Sequence, residues 1–176
     1  MKILAICGSR RDISSTRHAL AAALAASEAA GAEIGWLDIR ELPFCDGRRD
    51  SYGERVDAFR ASVHGADALL IGSPEYHGSM TGSLKNAFDL LGPEELRGTL
   101  VGLLATARGD SGAMNTLNHL RHVARWMNAW VLPTQVSVPR ANERFSEDGV
   151  PDPDLGAELD KLGGEMVRYA GLFKGA

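Results

Sequence analysis

Residues 3–17 read Ile3-Leu4-Ala5-Ile6-Cys7-Gly8-Ser9-Arg10-Arg11-Asp12-Ile13-Ser14-Ser15-Thr16-Arg17. A short apolar run, long enough for one buried strand, empties into a loop of glycine, hydroxyl and guanidinium groups. An alanine-rich segment with helical character then begins at His18. A loop placed between a buried strand and a helix is suited to binding an anion. The first N–H groups of the helix have no intrahelical acceptor, and they carry the positive end of the helix dipole. The hydroxyls of Ser9, Ser14, Ser15 and Thr16 add donors, and Arg10, Arg11 or Arg17 can add charge-assisted hydrogen bonds.

The loop lacks the G-x-G-x-x-G dinucleotide pattern, because Arg10 and Ile13 stand where glycines would be needed. It also lacks G-x-x-x-x-G-K-[ST], so it is not a nucleoside-triphosphate loop. Hydroxyls with arginine suit a terminal monophosphate, a compact dianion. Without the glycine pattern, Asp38 reads as a surface carboxylate at a strand end rather than as a ribose-binding acid.

Outward from this stretch, strands and helices alternate. Ile34–Leu37 reads as a peripheral strand, residues 40–53 as a loop, and Arg55–Val63 as a short helix. Ala66–Gly72 is a strand buried on both faces. Leu84, Ala87, Phe88 and Leu91 fall at i, i+3, i+4 and i+7, a helical stripe. Leu100–Ala105 is a further buried strand, followed by a helical stripe at Ala113, Leu117, Leu120, Ala124 and Met127. Trp130–Leu132 opens a fifth strand region that Pro133 is expected to interrupt. After a polar loop bounded by Pro139 and Pro153, the face of a final helix is expected to carry Leu155, Leu159, Leu162, Met166, Tyr169 and Phe173.

Five strands alternating with helices predict an α/β, three-layer sandwich around a five-stranded parallel sheet, with strand order 2-1-3-4-5. In that order a ligand sits beyond the carboxyl ends of strands 1 and 3, where Gly8–Arg17 and Ser73–Gly82 fall. Residues 1–176 are expected to form one domain, since no linker or repeat divides them.

Composition narrows the function. Of the 176 residues 44% are hydrophobic and 24% charged, an ordinary globular balance, and the net charge of −4 disfavours a nucleic-acid partner. No apolar run is long enough to span a membrane, and the chain enters a strand at once with no room for a signal peptide. Cys7 and Cys45 form no CxxC or metal pattern, so a cytoplasmic protein with reduced thiols is expected. His119 and His122 have no third ligand nearby in the sequence and read as a polar helix face or subunit contact, not a metal site.

Ser73–Leu91 reads SPEYHGSMTGSLKNAFDLL. Pro74 stiffens the exit from the strand, Gly78 and Gly82 permit close backbone approach, and Tyr76 and His77 place planar groups where a flat ring would lie. Together with GSRRDISSTR, this segment resembles the NADPH-dependent FMN reductase family of flavodoxin-like enzymes. That family's patterns are GSxRxxSxxR and SPEYNxSxPGxLKNAxDW. The segment Ala105–Asp110 and the triplet His119-Leu120-Arg121 are also similar, so the resemblance runs from the first strand to about Trp130.

The resemblance implies FMN as cofactor and NADPH or NADH as co-substrate. It implies an oxidoreductase that passes hydride from NAD(P)H through FMN to a small acceptor such as a quinone, an azo compound, a metal oxyanion or a flavin. No acid–base triad is implied. Ser9, Arg11, Ser14 and Thr16 match phosphate-holding positions. Pro74, Glu75, Tyr76, His77 and Gly78 match positions along the ring and ribityl chain, and Thr106, Ala107, Arg108 and Gly109 match the third loop. Departures are His77 for the commoner asparagine, Thr81 for proline, Leu90 for tryptophan and Thr16 for asparagine, with Ala107 and Arg108 in place of small hydroxyl residues. The alternative on the same fold is a flavodoxin-type FMN electron carrier. A net charge of only −4 and the loop arginines favour the reductase. A homodimer or homotetramer is expected, with Phe88, Leu90, Leu91, Trp126 and Met127 as surplus apolar groups.

Overall fold

The computed structural model describes residues 1–48, 51–92 and 94–173. The first apolar run forms β1 (Lys2–Cys7), and α1 (Ser15–Ala29) follows the hydroxyl loop. Next come β2 (Glu33–Leu37), α2 (Glu54–His64), β3 (Ala68–Pro74) and α3 (Gly82–Asp89). β4 (Leu100–Thr106), α4 (Met114–Trp126), β5 (Trp130–Val138) and α5 (Pro153–Phe173) complete the order. All pairings are parallel and the sheet runs β2-β1-β3-β4-β5, the flavodoxin-like order. Of the loop expected over residues 40–53, residues 49 and 50 lie outside the described residues.

Alternation along each strand divides the interior. Ile3, Ala5 and Cys7 of β1 face a core shared with Leu20 and Leu24 of α1 and Leu159 and Leu162 of α5. Leu4 and Ile6 face the opposite core, with Phe59 of α2, Leu84 of α3 and Leu117 of α4. A strand covered on both sides has no polar face, which is why β1, β3 and β4 read as continuous apolar runs. Leu20, Leu69, Leu84 and Leu103 are essentially inaccessible, and cutting such a side chain to alanine costs about 2–5 kcal/mol.

α1 and α5 touch closely at Gly163, where a Cβ would stand 2.3 Å from the Ala23 carbonyl. The Ser27 hydroxyl donates to both Ala23 O and Gly163 O at 3.1 Å, closing that contact.

Three expectations change. Pro133 does not interrupt β5, which runs through it as an edge strand with the proline exposed. The register moves from Val101↔Val131 to Leu103↔Gln135, so the missing N–H falls in an irregularity at the sheet edge. Arg121 supports that irregularity, donating to Leu132 O at 2.9 Å and Gln135 Oε1 at 2.8 Å. On α5 the buried face runs through Met166 and Ala170 with Tyr169 packed partly buried against it, whereas Phe173 leaves the core and sets its ring 5.7 Å from that of Trp130. Finally, α3 stops at Asp89, and Phe88, Leu90 and Leu91 are buried within the chain. They are core residues rather than surplus apolar surface. Trp126, by contrast, is 68% exposed.

Candidate functional site

β1 stays paired to β3 to its end, where Gly8 N donates to Gly72 O at 2.7 Å. Two loops cross there. A Cβ on Gly8 would meet Thr81 Oγ1 at 3.0 Å and Ser73 Oγ at 3.1 Å. Thr81 Oγ1 donates to Gly8 O at 2.8 Å and accepts from Leu84 N, capping α3, while Ser73 Oγ accepts from Thr81 N. The threonine that stands in place of a proline thus stitches the first loop to the second.

Ser14 caps α1, accepting from Arg17 N at 3.2 Å. His18 N donates to Ser14 O, whereas the N–H groups of Ser15 and Thr16 donate to no acceptor among the described residues. Of the three candidate arginines, Arg11 lines the cavity described below and has no ion-pair partner among the described residues. Arg10 donates to Arg40 O at 2.9 Å, and Arg17 lies 5.1 Å over the Trp36 ring. Arg40 in turn binds Asp38 and Asp12, and its hydrogen bonds to the Asp38 carboxyl hold that group at about 2. Asp38 is therefore an ion-paired strand-end carboxylate. Burial pushes the Cys7 thiol up, leaving it a core group without nucleophilic character.

In the second loop, Tyr76 and Ser79 exchange backbone hydrogen bonds at 2.9 and 3.1 Å around His77 and Gly78. Both central residues have positive φ, 53° and 76°, the requirement of a type I′ turn. Histidine tolerates this left-handed conformation better than most side chains, which accounts for its replacing asparagine there. Glu75 N donates to Thr106 O at 2.7 Å, and the Glu75 carboxylate accepts from Thr116 N at 3.1 Å in the first turn of α4. Ser79 Oγ pairs with His119 Nδ1 at 2.8 Å, assigning that histidine to the turn.

The third loop closes the arrangement. Thr106 Oγ1 lies 2.6 Å from Thr16 Oγ1, tying the end of β4 to the first turn of α1. Ala107 N donates to Val138 O, and Ala141 N donates back to Ala107 O at 2.9 Å.

These loops enclose one cavity of about 620 Å³. The first loop contributes Ser9, Arg11, Ser14, Ser15 and Thr16, the second Pro74, Glu75 and Tyr76, and the third Thr106, Ala107 and Arg108. His77 and Gly78 form the turn tip and Gly109 follows Arg108, and none of these three is on the cavity wall. Free N–H groups, hydroxyls and an unpaired guanidinium at one end, with Pro74 and the Tyr76 ring also on the wall, suit a ligand with a terminal phosphate and a flat ring. Among the described residues no group of three or more His, Cys, Asp or Glu is arranged to hold a metal ion, and no helix is long and apolar enough to cross a membrane.

Sequence reasoning missed part of the wall. Ile13, His18, and the segment Ala141–Glu147 also line the cavity. The segment after β5 carries no motif, and its polar composition and bounding prolines mark it only as a loop. It is nonetheless organised. Arg144 pairs with Asp152, Phe145 bridges to Pro151, and Ser146 N and Oγ both bond Val150.

A family profile described as NADPH-dependent FMN reductase matches residues 1–143. A protein from Geobacillus thermodenitrificans named NAD(P)H-dependent FAD/FMN reductase is 34% identical over 139 residues, covering 77% of this chain and 74% of its own length. An NADPH azoreductase from a Bacillus species is 32% identical over 179 residues, covering 99% of this chain and 95% of its own. The solved structure of FerB, a flavoenzyme NAD(P)H:(acceptor) oxidoreductase from Paracoccus denitrificans, superposes with a TM-score of 0.82 at 21% identity, covering 98% of each chain.

Proposed function

The chain belongs to the NADPH-dependent FMN reductase family, and on that premise we propose that its three loops hold FMN as an NAD(P)H-dependent reductase of small oxidised acceptors. The observation that carries this reading is that Arg11 and the unbonded N–H groups of α1 open onto the same cavity as Tyr76 and the third loop. The donor set fits the group, since a monophosphate dianion satisfies those N–H groups, the Ser14 and Ser15 hydroxyls and Arg11 together.

When bound there, FMN supplies the two-electron chemistry that links a reduced nicotinamide to the acceptor. The protein supplies position. Thr81 and Ser73 lock the first loop to the second, and the Thr16–Thr106 pair locks it to the third. Pro74 and Tyr76 line the ring end, while Glu75 spends its carboxylate on α4 and so acts as a positioning residue. The acceptor class, a quinone or an azo compound, is supported by what the relatives are named for. The molecule works as one flavin-binding unit in the cytoplasm and pairs into a homodimer through the groove between α3 and α4.

Anaerobic addition of NADPH to the FMN-loaded protein should bleach its visible absorbance, and a quinone should restore it over repeated cycles. Absorbance that stays unchanged under excess NADPH and excess NADH would refute the reading.

A further inference from the structure

We propose that Arg108 is the residue by which this protein tells NADPH from NADH, its guanidinium taking the 2′-phosphate that only the former carries. The proposal rests on the FMN reading above and names a determinant of the co-substrate in the same cavity. Two arginines stand on the cavity wall, Arg11 from the first loop and Arg108 from the third. Arg11 shares the first loop with the unbonded N–H groups of Ser15 and Thr16 and the hydroxyls of Ser14 and Ser15, a donor set that one phosphate dianion satisfies. Arg108 is the cation left over.

Among the described residues no carboxylate neutralises it, since Arg108 makes neither a side-chain hydrogen bond nor an ion pair there. Asp110, the carboxylate nearest in sequence, lies 3.5 Å from the Arg140 guanidinium instead. Of the carboxylates on the wall, Glu75 accepts from Thr116 N in α4, and Glu147 is exposed and not paired with Arg108. The small hydroxyl residues commoner at this position in the family would each add a single donor. A guanidinium adds a permanent charge and a fork of donors matched to a phosphate monoester. NADPH and NADH differ only in such a monoester, which carries about −1.5 to −2 charges at neutral pH.

The place of Arg108 suits that end of the co-substrate. The nicotinamide must reach the flavin inside the cavity, and the 2′-phosphate belongs to the adenosine at the other end of the dinucleotide, toward the opening. Arg108 is both on the wall and exposed, a residue of the mouth. Its backbone is fixed although its side chain is free. Ala141 N donates to Ala107 O at 2.9 Å and Arg140 N to Gly109 O at 3.2 Å, so the residues on both sides of Arg108 are bonded to the segment after β5. A held backbone confines the ordering cost of binding to the side chain itself.

Calorimetric titration of the FMN-loaded protein with NADP+ and with NAD+, neither of which can reduce the flavin, tests this. NADP+ should bind at least about tenfold more tightly, the gain of one charge-assisted contact. Arg108→Ala should remove most of that difference by weakening NADP+, and Arg108→Lys, which keeps the charge without the fork, should retain part of it. Arg108 is exposed, so neither variant threatens the fold. In turnover, Arg108→Ala should raise the KM for NADPH rather than lower kcat. Equal binding of the two dinucleotides by the wild type overturns the proposal, and so does an Arg108→Ala protein that keeps the wild-type preference. A loss of FMN affinity in that variant with riboflavin affinity unchanged would give the guanidinium to the flavin phosphate and overturn it as well. An apoprotein that binds no FMN refutes the FMN reading itself and the proposal with it, a result distinct from the other three.

Discussion

At the scale of single residues, the first loop shows how one of three similar side chains becomes functional. Arg10 is drawn to a carbonyl of the β2–α2 connection and Arg17 to an indole face, so Arg11 alone of the three lines the cavity. Removing a charge-assisted hydrogen bond costs about 1.5–3 kcal/mol, so Arg11→Ala should weaken FMN by roughly one to two orders of magnitude. Arg10→Ala, at the adjacent position but turned aside toward Arg40 O, should change affinity by no more than about twofold. Titration of the two apoproteins separates them, and equal losses would show that Arg11 has no special place. The neighbouring hydroxyls divide in the same way, since Thr16 is committed to Thr106 whereas Ser15 is not.

At the scale of elements, α4 and the segment after β5 are each held by a carboxylate, the first supplied by the second loop and the second by the segment itself. Glu75 meets the first turn of α4 at Thr116 N, where negative charge also complements the helix dipole. Glu75→Ala should cost about 1 kcal/mol, as loss of a helix cap does, and lower Tm by about 2–4 °C in calorimetry. An unchanged Tm would mean α4 needs no such cap.

The post-β5 segment depends on Asp152, whose carboxyl the Arg144 guanidinium holds at about 2, below its ordinary value of 3.8. The folded value lies below the unfolded one, so the pair's contribution is fully present above about pH 4 and disappears as pH falls toward 2. Thermal melts of Asp152→Asn should therefore run below wild type from pH 5 to 8, with the gap closing between about pH 4 and 2. A gap that persists at pH 2 would assign the effect to packing.

At the scale of the whole molecule, the surface that remains unexplained is the groove between α3 and α4. It measures about 410 Å³, and its wall combines Phe88, Leu91, Val123, Trp126 and Met127 with the polar Lys85, Asp89 and His122. Trp126 projects from its rim with 68% exposure, a large apolar group beside a groove that is part apolar and part polar. A two-fold pairing would let each copy's tryptophan fill the other's groove. Light scattering at micromolar concentration should give the mass of two chains, and Trp126→Glu should reduce it to one with flavin affinity intact. A wild-type monomer would remove the dimer.

The sequence by itself determined the alternation of strands and helices, the strand order, and the two loops that meet at the carboxyl ends of β1 and β3. Those are properties of neighbours in the chain: apolar runs where a strand is covered on both faces, a hydroxyl at a helix cap, a glycine where φ turns positive. Only the tertiary structure decided which arginine faces the cavity, because that depends on a carbonyl at Arg40 and a ring at Trp36. It also decided that Phe88, Leu90 and Leu91 are core, since the end of a helix is covered or exposed according to what packs over it. The same holds for Ala141–Glu147, whose residues have no pattern of their own. They become part of the site because Ala141 is bonded to Ala107 and Phe145 is seated against His18, partners 34 and 127 positions away in the chain.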